Sequence, residues 1–334
     1  MYFFYTLRNI MNKHFTFIDL FAGIGGFRLA LESLGGQCVF SSEIDKTACE
    51  YYQKNHGEMP FGDITSNEVK AKIPREFDIL CGGFPCQAFS IAGRRLGFKD
   101  TRGTLFFEIA DILQKHRPKA FILENVVGLL NHNKGSTFNV ILDVLNELKY
   151  FVKYEILNAL DFGVPQRRKR IFIVGFLDYQ HCFNYKFPQP TNKNVRFGDI
   201  METGEIDFNY YISQRYLDYL YKRSKDNKNG FVRLQPLQNN SVVPTLTKNI
   251  GSQIGGLLTK KEVAENKLKS YFALNKNNEF LRQITPREMA RCQGFPESFI
   301  IPKTKTTAEK LFGNSVAVPC VKAVAENVIK VLPF

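Results

Sequence analysis

The chain reads as an α/β protein carrying a smaller, irregular second domain, on three observations. First, Thr16-Phe17-Ile18-Asp19-Leu20-Phe21 is an apolar run that turns through Ala22-Gly23-Ile24-Gly25-Gly26-Phe27 into an amphipathic stretch around Leu29-Ala30-Leu31. That order of strand, glycine turn and helix belongs to nucleotide-binding α/β units. Second, short apolar runs recur to about residue 176, several of them ending on an acidic or thiol side chain. Third, beyond about residue 190 the rhythm stops. Pro188 and Pro190 are followed by Asn, Lys and Tyr in quantity and by the polar run Lys222 to Gly230, a composition of loops and short strands.

The elements follow in order. After the first strand, Phe15 to Leu20, the glycine turn departs from the G-x-G-x-x-G pattern at its third glycine, where Arg28 stands, and no Lys-Ser/Thr follows to make a phosphate loop. A second strand, Cys38 to Ser42, ends at Glu43, twenty residues after Gly23, where a carboxylate can accept from two ribose hydroxyls. A third βα unit is expected to place Asp63 after Phe61-Gly62. A fourth strand, Phe77 to Cys81, runs into Gly82-Gly83-Phe84-Pro85-Cys86-Gln87, and a fifth, Ala120 to Leu123, delivers Glu124-Asn125-Val126. Each such acid could be a helix cap or a solvated loop residue on its own; together at one sheet edge they make a site. Phe151 to Leu157 and Arg170 to Phe176 read as a closing strand pair. Thr285, Pro286 and Glu288 form a helix start with a capping box. Phe312 to Val316 reads as a loop before a closing helix, Val318 to Val331.

Composition bounds the function. At 334 residues the chain can bury one large or two modest cores. The seven cysteines, Cys38, Cys49, Cys81, Cys86, Cys182, Cys292 and Cys320, are scattered without metal-ligand spacing, which argues for a reducing, cytoplasmic setting and against a metal site. The apolar start Tyr2-Phe3-Phe4-Tyr5 is interrupted by Arg8, and Met11 is an alternative start. No run approaches membrane-span length, so no membrane partner is expected. The net charge of +13 is uneven: 22 Lys/Arg face 19 Asp/Glu up to residue 180, and 23 face 13 beyond it. An excess of that kind favours a polyanionic partner, although a solvated basic face is the common alternative.

The motifs Asp19 to Phe27, Gly83-Phe84-Pro85-Cys86-Gln87, Glu124-Asn125-Val126, Gln166-Arg167-Arg168-Lys169-Arg170, Pro286-Arg287-Glu288 and Gly313-Asn314-Ser315-Val316, in this order, resemble the C5-cytosine DNA methyltransferases, in their compact bacterial HhaI-type form. The likeness spans about residues 15 to 331, apart from roughly 194 to 280. It implies a Rossmann-like S-adenosylmethionine-dependent sheet, with residues 1–193 as catalytic domain, 194–285 as target-recognition domain, 286–312 as hinge and 313–334 returning to the first domain. It further implies duplex DNA as substrate, S-adenosylmethionine as cofactor and no metal.

By the same resemblance, Cys86 is the nucleophile toward cytosine C6, Glu124 assists at the ring, and Arg168 and Arg170 support them. Phe21, Gly23, Gly25, Gly26, Glu43, Asp63, Pro85, Leu105, Asn314 and Val316 match cofactor positions; Ile44 departs from the larger residue usual beside adenine. DNA contacts are expected from Gln87, Ser90, Arg94, Arg95, Arg102 and Thr245, with residues 88–104 as a mobile basic flap over a flipped-out base. A restriction-modification role, a cognate endonuclease encoded nearby, no stable protein partner and a monomer are the corresponding expectations. Three alternatives stay open at this point: a related methylase of transfer RNA, a dinucleotide oxidoreductase, and a DNA-binding protein without catalysis.

Overall fold

The structure is a computed structural model and describes residues 14–85, 105–204, 206–225, 237–248 and 281–334. In chain order its main elements are β1 (Phe15–Leu20), α1 (Gly26–Glu32), β2 (Gly36–Ser42), α2 (Lys46–His56), α3 (Asn67–Lys70), β3 (Ile79–Gly83), α4 (Leu105–His116), β4 (Ala120–Val126), α5 (Ser136–Glu147) and β5 (Phe151–Asn158). They continue as β6 (Gln166–Arg167), β7 (Lys169–Phe176), α6 (Tyr179–Asn184), α7 (Gln214–Lys225), β8 (Val243–Pro244), α8 (Pro286–Cys292), α9 (Lys305–Asn314) and α10 (Val318–Val331). Two compact units divide the chain: Met1–Asn158 with Lys169–Pro190 and Val316–Phe334, and Ala159–Arg168 with Thr191–Ser315. The segment 159–168 thus belongs with the second unit, whereas the sequence reading kept it in the first.

The first unit holds a six-stranded sheet of order β2-β1-β3-β4-β7-β5. β2, β1, β3 and β4 run parallel, and β7 lies antiparallel to both β4 and β5. The chain leaves β1 for β2 on one side and returns to β3 on the other, so the strand order reverses at β1/β3. The carboxyl ends of those two strands therefore flank the crevice where open α/β sheets place ligands.

One face of the sheet buries Ile18, Leu20, Phe40, Leu80, Phe121, Leu123, Ile171 and Ile173 against apolar residues of α3, α4 and α5. In α4, Phe106, Ile109, Ala110 and Leu113 recur at helical spacing and are buried, so this helix is held by packing more than by propensity. On the opposite face Asp19 lies level with Ser41 of β2 and Cys81 of β3. α2 starts on Asp45, whose carboxylate accepts from the N–H groups of Thr47 (3.0 Å) and Ala48 (3.1 Å).

The sequence expectations differ from the structure at further places. The third strand is absent: 59–63 carries no strand, because Pro60 has no N–H, Gly62 sits at φ +97°, and Phe61 makes one backbone bond, to Ser41 O (2.9 Å). Glu124, Asn125 and Val126 lie inside β4, not beyond it, because β7 pairs with all three. Phe312, Gly313 and Asn314 complete α9 instead of forming a loop.

The second unit contains the two-stranded parallel pair β6–β8 and helices α7, α8 and α9. α7, which the sequence reading did not place, carries five charged residues among its twelve. α8 begins as expected with a capping box between Thr285 and Glu288. Glu288 also receives Arg282 (2.6 Å), both side chains being fully buried, and accepts from the N–H of Glu202 (3.0 Å). These bonds to the Glu288 carboxylate offset part of the cost of burying the pair. Among the described residues no helix is long and apolar enough to cross a membrane.

Candidate active site

The turn after β1 is bound to the loop after β2 through one side chain. Glu43 Oε2 accepts from the N–H of Gly23 (2.8 Å), while Oε1 accepts from the N–H groups of Ile44 (2.9 Å) and Asp45 (2.8 Å). An ionised carboxylate offers about four lone-pair directions, so one direction on Oε2 is left for a ligand hydroxyl. Ala22 N–H donates to Ser42 O (2.9 Å), completing the tie. Phe21 holds φ +57°, a conformation that costs a bulky residue about 1–3 kcal/mol and is found where function over-determines the backbone. Ile44 is 68% exposed beside this loop, an apolar wall open to a flat ring. Asp63 is exposed, and its Oδ1 accepts from Thr65 N–H (2.9 Å) and Thr65 Oγ1 (2.8 Å). Gly25 and Gly26 are buried at the start of α1. This half of the site suits a nucleoside, with the flat face of its base against the Ile44 side chain and a sugar hydroxyl on Glu43.

A second constellation in the same unit is built by strand register. Val126 lies opposite Arg170 across β4 and β7, so Glu124, two residues back on the same face, is Arg170's diagonal neighbour. The long guanidinium spans that diagonal: Arg170 Nε stands 3.0 Å from Glu124 Oε1, with both side chains mostly buried. Gly83 lies level with Glu124 on β3. A Cβ built on Gly83 would stand 3.6 Å from Glu124 Oε2 and 3.8 Å from Val316 Cγ1, so the missing side chain leaves the carboxylate's flank open.

Asn125, which the sequence reading quoted without a role, donates through Nδ2 to Phe84 O (2.9 Å) and accepts Val126 N–H on Oδ1 (2.8 Å). It therefore fixes the chain as it leaves β3 toward Pro85, which is exposed. Its only sequence signal was adjacency to Glu124.

In the second unit Arg168 is buried, and its guanidinium donates to three backbone carbonyls: Leu246 O (2.9 Å), Gly313 O (3.2 Å) and Ser315 O (2.5 Å). The expectation of a catalytic Arg168 thus meets a side chain that ties the loop at Leu246 to the C-terminal end of α9, while Arg170 Nε stands at the Glu124 carboxylate. Gln166 works alike, donating to Cys292 O (2.9 Å) and accepting Leu246 N–H (2.8 Å). Thr245 is half-buried, its hydroxyl donating to Arg167 O (2.7 Å), and Asn314 is exposed at the end of α9. Leu105 opens α4 in the first unit. Cys86, Gln87, Ser90, Arg94, Arg95 and Arg102, with the whole expected flap, lie outside the described residues. Among the described residues no cluster of His, Cys, Asp or Glu could hold a metal ion.

Asp19 was read as a motif residue without a part of its own. It is fully buried, and burial, offset in part by the Arg28 charge and by the Arg28 N–H and Cys81 thiol that face it, pushes its pKa up to about 8. Burial thus favours its protonated form.

Comparison with known proteins agrees with this geometry. The model of the C-5 cytosine-specific DNA methylase family matches residues 15–330. Type II methyltransferase M.HpaII of Haemophilus parainfluenzae is 47% identical over 333 residues, covering 96% of this chain and 91% of that protein. Type II methyltransferase M.HhaI of Haemophilus parahaemolyticus is 39% identical, covering 95% of each. In fold, the Entamoeba histolytica methyltransferase EhMeth matches with a TM-score of 0.71 at 19% identity, covering 96% of this chain and 99% of that one. A match across nearly the whole chain, on a sheet that carries the expected strand ends, leads to one conclusion: this chain belongs to the C-5 cytosine-specific DNA methylase family.

Proposed function

We propose that this DNA cytosine methyltransferase acts on a cytosine flipped out of a specific duplex sequence, with Cys86 as its nucleophile, and that it serves as the modification half of a restriction-modification system. The observation that carries the reading is the buried Glu124–Arg170 pair beside the bare Gly83. Cytosine C5 is too weak a nucleophile to take a methyl group unaided, so a thiolate must first add at C6 and push electron density to C5. Cys86 follows Pro85 directly after β3. Glu124 acts as general acid, its carboxyl giving a proton to N3 and accepting from the exocyclic amine, so that the ring gains no net charge as sulfur adds, an effect worth about two to four orders of magnitude. Arg170 holds the carboxylate in place.

Glu43, the Gly23 to Gly26 turn, Phe21 and Ile44 would hold S-adenosylmethionine, with Asp63, Pro85, Leu105, Asn314 and Val316 as further candidates. When bound, that cofactor supplies a methyl group on a sulfonium, an electrophile that needs no metal. Arg168 and Gln166 act as positioning residues for the loops they bridge. Thr245 and the basic residues Arg94, Arg95 and Arg102, with Gln87 and Ser90, are proposed to face DNA. Residues 194–285 are proposed to read the target. A cytoplasmic monomer with an endonuclease encoded nearby completes the reading.

Duplex DNA carrying 5-fluorocytosine at the target tests it, because fluorine cannot leave as a proton does and the thiol adduct is retained. Wild type with S-adenosylmethionine should form a complex that survives denaturation, and Cys86→Ala should not. Absence of the adduct with wild type, or equal trapping by the variant, would overturn the mechanism. Methyl transfer to transfer RNA in preference to duplex DNA would overturn the substrate.

A further inference from the structure

The glycine turn is held from behind by a polar shell that the cofactor reading does not use. His56, the last residue of α2, points its ring at the turn: Nε2 is 3.3 Å from Ile24 O, and since a carbonyl only accepts, Nε2 carries the proton. Gly25 sits at φ +86°, and a Cβ built on it would stand 2.1 Å from the same Nε2. The ring and the turn therefore occupy adjoining space with none to spare, and Gly25 is required both by backbone conformation and by the imidazole.

The ring is itself fixed. It packs on Tyr52 (centroids 4.5 Å apart), whose hydroxyl accepts from Arg28 Nη1 (3.1 Å). Arg28 in turn pairs with Glu32 (2.7 Å) and with Glu58. Burial first, and then the nearby Arg28 charge, lower the His56 pKa to about 4, so the ring is neutral and keeps one tautomer through the physiological range.

We propose that His56 is a positioning residue for the cofactor: through its bond to Ile24 O and its contact with Gly25 it holds the turn in the shape that presents Gly23 N–H to Glu43. The inference rests on the reading of that turn as the S-adenosylmethionine cradle. A residue with this role acts on cofactor binding and not on the chemical step. Phenylalanine would fill the space without the donor, and glutamine would restore a donor.

The test is calorimetric titration of full-length wild type, His56→Phe and His56→Gln with S-adenosylmethionine, together with steady-state methylation of duplex DNA. Loss of one neutral hydrogen bond should raise both Kd and KM for the cofactor roughly threefold to tenfold in His56→Phe. Its kcat should stay within about twofold, and His56→Gln should recover most of the loss. A second arm covers the case in which His56→Phe folds poorly. Gly25→Ala should bind the cofactor more weakly than wild type, and His56→Ala in the same chain should give back part of the loss by removing the ring, a coupling that independent sites do not show. Unchanged affinity in His56→Phe, or purely additive effects of Gly25→Ala and His56→Ala, would overturn the inference alone. Wild type that gives no binding heat at all would overturn the cofactor reading and the inference with it.

Discussion

Replacing Asp19 with asparagine should stabilise the protein relative to wild type by an amount that grows with pH. In the unfolded chain the Asp19 carboxyl ionises near its ordinary value of 3.8; in the folded chain burial holds it protonated to about 8. Between those values folding takes up one proton, so the native state binds more protons than the unfolded state and stability falls as pH rises. Below about pH 4 both states are protonated and the penalty vanishes; above about pH 8 both are ionised and it levels off. Within the window the slope is about 1.4 kcal/mol per pH unit, or roughly 3 kcal/mol between pH 5 and pH 7. Asparagine is nearly isosteric with the neutral acid and has no proton to gain, so its stability lacks this component, and all other titrations cancel in the difference. Urea unfolding at pH 5, 6 and 7 measures it, followed by far-ultraviolet circular dichroism because the chain has no tryptophan. A wild-type-minus-variant difference that is flat over this range, or that changes in wild type's favour with rising pH, would refute a buried neutral Asp19.

Three further outcomes separate the site's parts. Arg170→Lys keeps the charge but not the planar fork that meets Glu124; kcat should drop about tenfold to a hundredfold while the thermal midpoint moves little, and an unchanged kcat would remove Arg170 from the machinery. Arg168→Met strands three backbone carbonyls and should cost about 3–5 kcal/mol of stability, seen as a fall in thermal midpoint well beyond that of Arg170→Lys; the reverse ranking would contradict its assignment as a tie between loops. Glu43→Gln turns one acceptor oxygen into a donor facing backbone N–H groups, so KM for S-adenosylmethionine should rise about tenfold or more with kcat nearly kept, and initial-rate measurements at saturating DNA decide it.

The family motifs were legible because each is short and continuous. Glu43 at the end of its strand, the Gly23 to Gly26 turn and the capping box at Thr285 and Glu288 all depend on neighbours within a few residues, and all stand where the sequence placed them. The errors fell where local pattern competes with pairing. Phe61-Gly62 is apolar enough to suggest a strand, but a strand needs a partner edge, and this segment makes one backbone bond. Glu124 to Val126 were placed beyond the strand because Glu124 and Asn125 are polar, yet β7 extends the ladder through all three.

What the sequence by itself determined is the fold class, the order of the strands' chemical ends and the family, since hydrophobic period, glycine turns and ordered motifs are properties of the linear chain. Tertiary structure alone decided which arginine of the Arg-Arg-Lys-Arg run meets the carboxylate. Residues 168 and 170 are equivalent as sequence; antiparallel register across β4 and β7 sets Arg170 diagonal to Glu124, while Arg168 is buried among three carbonyls. It likewise decided that burial favours the protonated form of Asp19 and that His56 braces Gly25 across thirty-one positions. Burial and contact at that separation exist only once the chain has closed on itself, and no local pattern encodes them.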